Sequence, residues 1–371
     1  MRVSENMKSG FVISDINRTL ARMVKTQRDL STSKRIHKPS DDPTCTSRII
    51  RLKGQIARYK RYQSSISSSR EWLVSTEASL NTLLDKISDV NSILLQASNG
   101  DIGDVERDNL SERVKGHLNS ILDLANKNYG GKYIFGGTET ATPPYSANTE
   151  IEDEEFTSDY DEPVYLNSVN LEAGSVTVTD TSGSVTYTEG TDYTIDYENG
   201  SITVLRTGSM SDATDYEISY NTSDSVNFEV NPDGIDGEIE REIDEGVTIK
   251  INISGDDVFG GSDGLFKVLR DAYNALKRND VEEIKSVRGD LLNEIDDVTR
   301  VLGEVGAKIN RLDTLSQRID TDVTTFRELI SSVEDTDITE ALVNLQNDRT
   351  VYEAALKTGA SIIQSSLLDY L

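Results

Sequence analysis

Apolar residues recur every three or four positions along the last third of the chain. The most regular run extends from Leu291 to Val333, where only Ser316 interrupts the apolar positions and charged residues fill the spaces between them. A period of 3.5 residues is typical of a coiled coil, because under-wound helices keep one narrow stripe against a partner. The pattern predicts one long helix whose stripe other helices must cover.

Similar stripes predict further helices in both terminal parts of the chain. Asp42 is a natural N-cap and Pro43 a natural first helical residue, so a helix of roughly 80 Å is predicted to begin there and to end at Ala97. The next helix is expected to close at Gly130-Gly131, which suit a left-handed C-terminal cap. The last helix is expected to begin after a cap within residues 335–337.

The apolar stripes are the candidate assembly seam of the protein. A stripe of this kind is stable only when a partner helix covers it, within the chain or on a neighbour. The predicted seam residues are Ile13, Ile16, Leu20, Ile66, Leu73, Leu80, Leu83, Ile87, Leu302, Val305, Ile309, Leu312, Ile319, Val323 and Phe326.

The apolar period changes to two in the middle of the chain, which predicts strands. Asn199-Gly200 separates two alternating runs and favours a hairpin with a type I′ turn. The fold class is therefore multi-domain α plus β, with long N- and C-terminal helices forming a coiled-coil bundle and a central acidic β-rich domain. The predicted segments are a terminal segment, mobile before assembly, at 1–40, helical arms at 41–138 and 263–334, the β-rich domain at 139–262 with an insert at about 165–222, and a terminal helix at 335–371.

Charge is distributed unevenly along the chain. The net charge is −27, and residues 139–262 alone contain 29 acidic and three basic side chains. Residues 1–62 contain 15 basic and five acidic side chains, so the start of the chain is basic. We expect the basic row of the long helix to pair with acidic residues of the C-terminal arm rather than with nucleic acid. The row comprises Arg48, Arg51, Lys53, Arg58, Lys60 and Arg61, and the expected partners are Glu282, Glu283, Asp290, Asp296 and Asp297.

Few residues suit catalysis or tight metal binding. The chain has one cysteine, Cys45, and two histidines, His37 and His117. These are too few for most zinc sites and most nucleophilic catalytic sites. Residues 260–264 match the G-x-S-x-G nucleophile elbow, but that triad needs a later histidine and both histidines come earlier. Residues 231–238 are rich in Asp and Gly, and turns are favoured over a calcium site there. No enzyme activity, cofactor or metal is expected, and no apolar run suggests a secretory signal or a membrane span.

Four stretches together resemble the bacterial flagellin superfamily and, within it, the hook-associated protein 3 family. They are Leu30–Ile36 leading into Pro39–Pro43, Leu122–Asn126, Gly131–Thr138, and Glu334–Asp337 with the closing Ser366–Leu371. Asp42-Pro43 and the ending Leu-Asp-Tyr-Leu favour this family over flagellins proper. His37, where a small polar residue is expected, and Cys45 depart from the family pattern.

The resemblance implies a structural protein exported through the flagellar type III apparatus, cytoplasmic before export and extracellular at the hook-filament junction afterwards. Its implied partners are hook-associated protein 1, flagellin, identical subunits in a ring, and an export chaperone that holds the C-terminal helix. The candidate chaperone face is Leu345, Tyr352, Leu356 and Ile363. Two alternatives stay open: a divergent flagellin that forms the filament, and a secreted coiled-coil surface protein or adhesin. Cys45 is expected to be inert before export and able to cross-link subunits outside the cell.

Overall fold

A computed structural model describes residues 5–231, 235–261 and 264–368, with side chains described from residue 10 to residue 360 within those ranges. The helices are α1 (Glu5–Thr32), α2 (Pro43–Ala97), α3 (Asp104–Ala125), α4 (Gly255–Phe259), α5 (Leu265–Lys277), α6 (Val281–Glu334) and α7 (Ile338–Leu368). The predicted fold class is confirmed: long helices lie in both terminal regions, and strands lie between them.

The strands occupy the middle of the chain and all pair antiparallel. They are β1 (Asn128–Tyr129), β2 (Lys132–Tyr133), β3 (Tyr145–Asn148), β4 (Glu150–Thr157), β5 (Pro163–Tyr165), β6 (Thr177–Asp180), β7 (Thr186–Tyr187), β8 (Tyr193–Asp196), β9 (Ser201–Val204), β10 (Asp215–Asn221), β11 (Asn227–Val230), β12 (Glu240–Asp244) and β13 (Val247–Lys250).

Aspartate side chains cap the N-termini of two predicted helices, α2 and α7. The Asp42 carboxylate accepts the backbone N–H of Cys45 at 2.9 Å, and the Asp337 carboxylate accepts that of Thr339 at 2.8 Å. These bonds satisfy N–H groups that the first turn of a helix leaves without an intrahelical partner. Both predicted caps are confirmed.

Two turn predictions were wrong in detail. Helix α3 ends at Ala125, and Gly130 and Gly131, with φ of 60° and 82°, form the turn of the β1–β2 hairpin instead of a helix cap. Asn199-Gly200 does lie in a hairpin, but Asp196 pairs with Ser201, so the loop has four residues. Glycine recurs in both places because each backbone needs a positive φ, and that requirement alone does not identify the turn.

The chain divides into two compact units: residues 1–63 with 316–371, and residues 64–315. In the first unit, a buried cluster of Ile36, Ile49, Leu52 and Ile330 lies between parts of α2 and α6. The two largest sheets of the second unit are a four-stranded sheet in the order β4-β10-β6-β7 and a three-stranded sheet in the order β5-β9-β8. These sheets share one apolar core, in which Val178, Ile202 and Ile218 are fully buried.

The β-rich region of the second unit is joined to its helices by buried polar contacts. Asp224 accepts hydrogen bonds from the Tyr273 hydroxyl and the Asn170 amide, both at 2.6 Å, and forms an ion pair with Lys115. Burial alone would raise the pKa of Asp224, but the hydrogen bonds from Lys115, Tyr273 and Asn170 outweigh it and hold that pKa below its ordinary value. One carboxylate thus connects α3, α5 and the loop before β6.

A second contact of this kind uses Arg278, directly after α5. Its side chain is only 7% exposed, and the guanidinium donates to the backbone oxygens of Asn199 at 2.9 Å and Leu166 at 2.6 Å. It also lies 4.7 Å from the ring centre of Tyr165. The guanidinium is planar and carries five N–H groups, so it can donate to two carbonyls and stack on an aromatic ring at the same time. A lysine ammonium has no planar face with which to stack.

Candidate assembly surfaces

Helices α1 and α7 pack against each other in the first unit. A Cβ at Gly359 would lie 3.2 Å from Cγ1 of Val12 and 3.5 Å from Cδ1 of Ile16. Further along, the Nε of Arg22 lies 3.4 Å from the Asp348 carboxylate. The two contacts run in opposite chain directions, so the helices are antiparallel. Glycine at 359 permits the close approach of α1.

This helix pair leaves apolar side chains uncovered. Of the seam residues predicted on α1, Ile16 is half-buried, whereas Ile13 is 52% exposed and Leu20 is 36% exposed. Of the predicted chaperone face on α7, Leu345 and Tyr352 are half-buried and Leu356 is 44% exposed, while the side chain of Ile363 lies outside the described residues. Additional exposed apolar residues that the prediction missed are Phe11, Val24, Leu342, Val343 and Val351. Exposed apolar surface on two paired helices favours docking against another protein.

The remaining seam residues lie on the long helices. In the first unit, Ile319 and Val323 are buried, and Phe326 stacks on Tyr59 with ring centres 5.7 Å apart. In the second unit, the Arg70 guanidinium pairs with Asp313 at 2.6 Å, and Leu302 is half-buried. The other seam residues of that unit are buried: Ile66, Leu73, Leu80, Leu83, Ile87, Val305, Ile309 and Leu312.

Two stretches that carry the family resemblance contact each other in the first unit. The backbone N–H of Arg35 donates to the Glu334 oxygen at 2.8 Å, and that of Thr336 donates to the Ser33 oxygen at 3.1 Å. The Glu334 carboxylate receives the ammonium groups of Lys34 at 2.8 Å and Lys53 at 3.2 Å. Burial alone would raise the pKa of Glu334, but the two lysines lower it on balance.

The role of Glu334 was not predicted from the sequence. Glu334 directly follows the apolar seam at the end of α6, its side chain is 11% exposed, and it has two cationic partners far away in the chain. The available signal was the presence of Glu334 and Lys34 in two separate family stretches. Nothing in either stretch indicates that the two side chains meet.

His37 and Cys45, the two departures from the family pattern, lie near this contact. The His37 Nε2 is 2.7 Å from the Asp29 carboxylate, and both side chains are largely buried. The Asp42 carboxylate, through its hydrogen bond with the Cys45 thiol, raises the pKa of that thiol. Because the thiolate is the reactive form, Cys45 is a poor nucleophile in this conformation.

The stretch Gly131–Thr138 has a backbone role in the second unit. A Cβ at Gly136 would lie 2.5 Å from the Glu139 oxygen, and one at Gly137, whose φ is 56°, would lie 1.9 Å from the Asp236 oxygen. Only glycine fits such an approach. Between these glycines and the hairpin, Phe135 is buried with its ring edge-on to Phe259 at 5.2 Å.

The expected pairing of the basic row with the C-terminal arm holds for Lys53, but Glu282 and Glu283 at the start of α6 have other partners. In the first unit, Lys53 pairs with Glu334 at the other end of α6. In the second unit, Glu283 pairs with Arg278 and Glu282 with Lys285. Antiparallel packing explains the difference, since it brings the start of α2 beside the end of α6.

The other candidate motifs from the sequence, the nucleophile elbow and the Asp- and Gly-rich loop, do not form a site within the described residues. Ser262 and Asp263 of the elbow motif, and residues 232–234 of the Asp- and Gly-rich loop, lie outside the described residues. Across the part of the chain that is described, three or more His, Cys, Asp or Glu side chains do not come together in a way that could hold a metal ion. Within the same residues, no helix has both the length and the apolar character needed to cross a membrane.

The paired terminal helices define a class of protein, and comparison with known families agrees. The bacterial flagellin N-terminal helical region matches residues 3–140, and the bacterial flagellin C-terminal helical region matches residues 291–371. Together they match more than half of the chain, which therefore belongs to the bacterial flagellin family of structural flagellar proteins. A family described as a protein of unknown function matches residues 134–231.

Within that family, the chain is similar to flagellar hook-associated protein 3. It is 31% identical to the Escherichia coli protein over 39% of this chain and 46% of the relative. It is 29% identical to the Salmonella typhimurium protein over 40% of this chain and 47% of that relative. The chain thus spans about half the length of these curated relatives. A solved flagellar hook-associated protein from Vibrio parahaemolyticus shares the fold, with a TM-score of 0.52 at 16% identity over 80% of this chain and all of that one.

Proposed function

We propose that this protein joins the flagellar hook to the filament as a non-enzymatic structural subunit. The observation that carries the proposal is the combination of flagellin-type terminal regions with sequence similarity to hook-associated protein 3. In this account the protein forms a ring of identical subunits. Hook-associated protein 1 lies on one side of the ring and flagellin on the other.

The uncovered faces of α1 and α7 give the assembly its driving force. Phe11 and Ile13 on α1, and Leu342, Val343 and Val351 on α7, are each more than half exposed. Burying one such side chain contributes about 1.5 to 3 kcal/mol. Neighbouring subunits supply the missing apolar surface, so packing of the terminal helices is completed only in the flagellum.

Before assembly, apolar residues of α7 also need protection. We propose that an export chaperone covers the face of Leu345, Tyr352, Leu356 and Ile363, and that the subunit leaves the cell through the flagellar type III apparatus. Leu356 is 44% exposed, and a helix with spaced apolar anchors suits a groove on a partner. Chaperone release then frees the face for the neighbouring subunit.

A gene deletion in the host tests the junction function. The expected result is cells that keep hooks, lack filaments and release unpolymerised flagellin into the medium, seen by electron microscopy and immunoblotting. Hooks that carry ordinary filaments would refute the junction function. Hooks without filaments and without flagellin in the medium would instead identify the chain as the filament subunit, the divergent flagellin alternative.

A further inference from the structure

Helix α2 begins with an unusually basic surface in the first unit. Residues 43–63 contain six Lys and Arg and no acidic residue. Lys53 has an ion-pair partner, Glu334. In the described part of the chain, the other five cations are exposed and have no ion pair: Arg48, Arg51, Arg58, Lys60 and Arg61.

An apolar strip runs along the middle of this surface. Ile50 is 64% exposed, and Gly54 and Ala57 follow at helical spacing, with open space above Gly54. By helical geometry the strip lies on the side of α2 opposite Leu52 and Tyr59, which face the packed side. We define the basic face as Ile50, Gly54 and Ala57 with the flanking cations Arg51, Arg58, Lys60 and Arg61.

The second unit carries a surface of opposite charge. Val105, at the start of α3, is 79% exposed, and Leu95, near the end of α2, is 51% exposed. Asp101, Asp104 and Glu106 lie within four residues of Val105 in the sequence, and all three are exposed. We define the acidic groove by Val105, Asp101, Asp104 and Glu106. Asp104, Val105 and Glu106 line an open depression of about 860 Å³, whose lining also includes one cation, Arg113.

Local roles account for part of the acidic groove but leave its apolar residue without a function. Asp104 accepts a hydrogen bond from Asn279 at 2.5 Å, Glu106 accepts one from Gln96 at 3.4 Å, and acidic residues are ordinary in the first turn of a helix. None of these bonds needs Val105 to be apolar. Among the residues whose side chains are described, Val105 and Ile50 are the two most exposed large apolar ones, and they lie near charges of opposite sign.

We propose that the basic face of one copy docks in the acidic groove of a second copy, with Ile50 against Val105. An apolar centre within a charged rim is the anatomy of a protein interface, whereas a nucleic-acid site would have a more uniformly polar surface. The two patches differ, so the contact is heterologous and passes from copy to copy. This contact rests on the proposed function and names the surfaces through which its subunits meet.

Cysteine cross-linking in the host tests the contact between full-length copies. In a Cys45→Ser background, cells make a tagged Ile50→Cys copy and an untagged Val105→Cys copy, and their isolated flagella are treated with a short bismaleimide. The expected product joins the two different copies. A Val185→Cys copy is the matched control, because Val185 is 48% exposed and lies outside both patches; it should not join to Ile50→Cys.

Charge reversal separates specific docking from chance collision. Arg51→Glu with Arg58→Glu in the Ile50→Cys copy should lower the yield of the mixed product about tenfold, because like charges then face each other. Asp101→Arg with Glu106→Arg in the Val105→Cys copy should restore it. All these positions are exposed, so folding is preserved, and circular dichroism checks this.

The outcomes distinguish this contact from the junction function. A mixed product that follows the charge reversals supports the contact. Equal yields of Ile50–Ile50 and Ile50–Val105 products, Ile50→Cys joined to flagellin or a hook protein, or no product would overturn it. If filaments and swimming are normal in strains that give no mixed product, the docking proposal fails while the junction function stands.

Discussion

Replacing Ile319 by aspartate tests whether the α6 seam holds the first unit together. Ile319 is fully buried, so Ile319→Asp removes a burial contribution of about 1.5 to 3 kcal/mol and places a charged carboxylate at a site without access to water. The combined loss is about 5 kcal/mol or more, comparable with the whole stability of a typical domain. We expect the first unit to lose its packing, and the assembly to fail.

Hydrogen exchange read by mass spectrometry locates the effect along the chain. Peptides from residues 43–63 and 316–334 should lose protection, while those from the β-rich region 150–222 should keep theirs. Thr321→Asp is the matched control, because it adds the same charge two residues away at an exposed site. Leu302→Asp should cost less than Ile319→Asp, since Leu302 is half-buried. Normal protection and normal motility in Ile319→Asp would refute the role of the seam.

Three further substitutions test contacts in the second unit by thermal and urea unfolding. Asp224→Asn should lower the free energy of unfolding by about 2 kcal/mol at pH 7. Because folding lowers the pKa of Asp224, the difference in stability between variant and wild type should shrink as the pH falls below about 4. A difference that stays constant with pH would contradict this role of Asp224. Arg278→Met should lower the free energy of unfolding by about 3 kcal/mol, because two carbonyls and Glu283 lose their partner. The control Arg300→Met, at an exposed site, should lower it by under about 0.5 kcal/mol. Equal losses in the two variants would refute the Arg278 contact. Gly137→Ala should lower the free energy of unfolding by more than about 3 kcal/mol, because the added Cβ overlaps the backbone of Asp236. The control Gly116→Ala, in open space on α3, should raise it by about 0.5 kcal/mol. A mild effect at Gly137 would contradict the close approach of the two backbones.

The sequence predicted those features that depend on local pattern. The bounds of α2 follow from Asp42-Pro43 at one end and from the loss of the apolar stripe after Ala97 at the other. The seam from Leu291 to Val333 lies within one helix, α6, because its period leaves no break. These features need no knowledge of which segments meet.

Features that depend on pairing across the chain could not be read in the same way. Glu334 acts through Lys34 and Lys53, roughly 300 residues away, and sequence spacing does not indicate that they meet. On α1, heptad spacing grouped Ile13 with Ile16, yet Ile16 is half-buried near Gly359 of α7 whereas Ile13 is 52% exposed. A stripe shows which residues can be buried, while the angle of the partner helix determines which of them are.

Locating the protein on the flagellum tests the central claim most directly. Immunogold electron microscopy, with antibody raised against the acidic residues 150–222, should label one narrow band between hook and filament. A filament labelled along its whole length would show a flagellin, and label on the cell body with unlabelled flagella would show a surface protein. Either result would contradict the junction function.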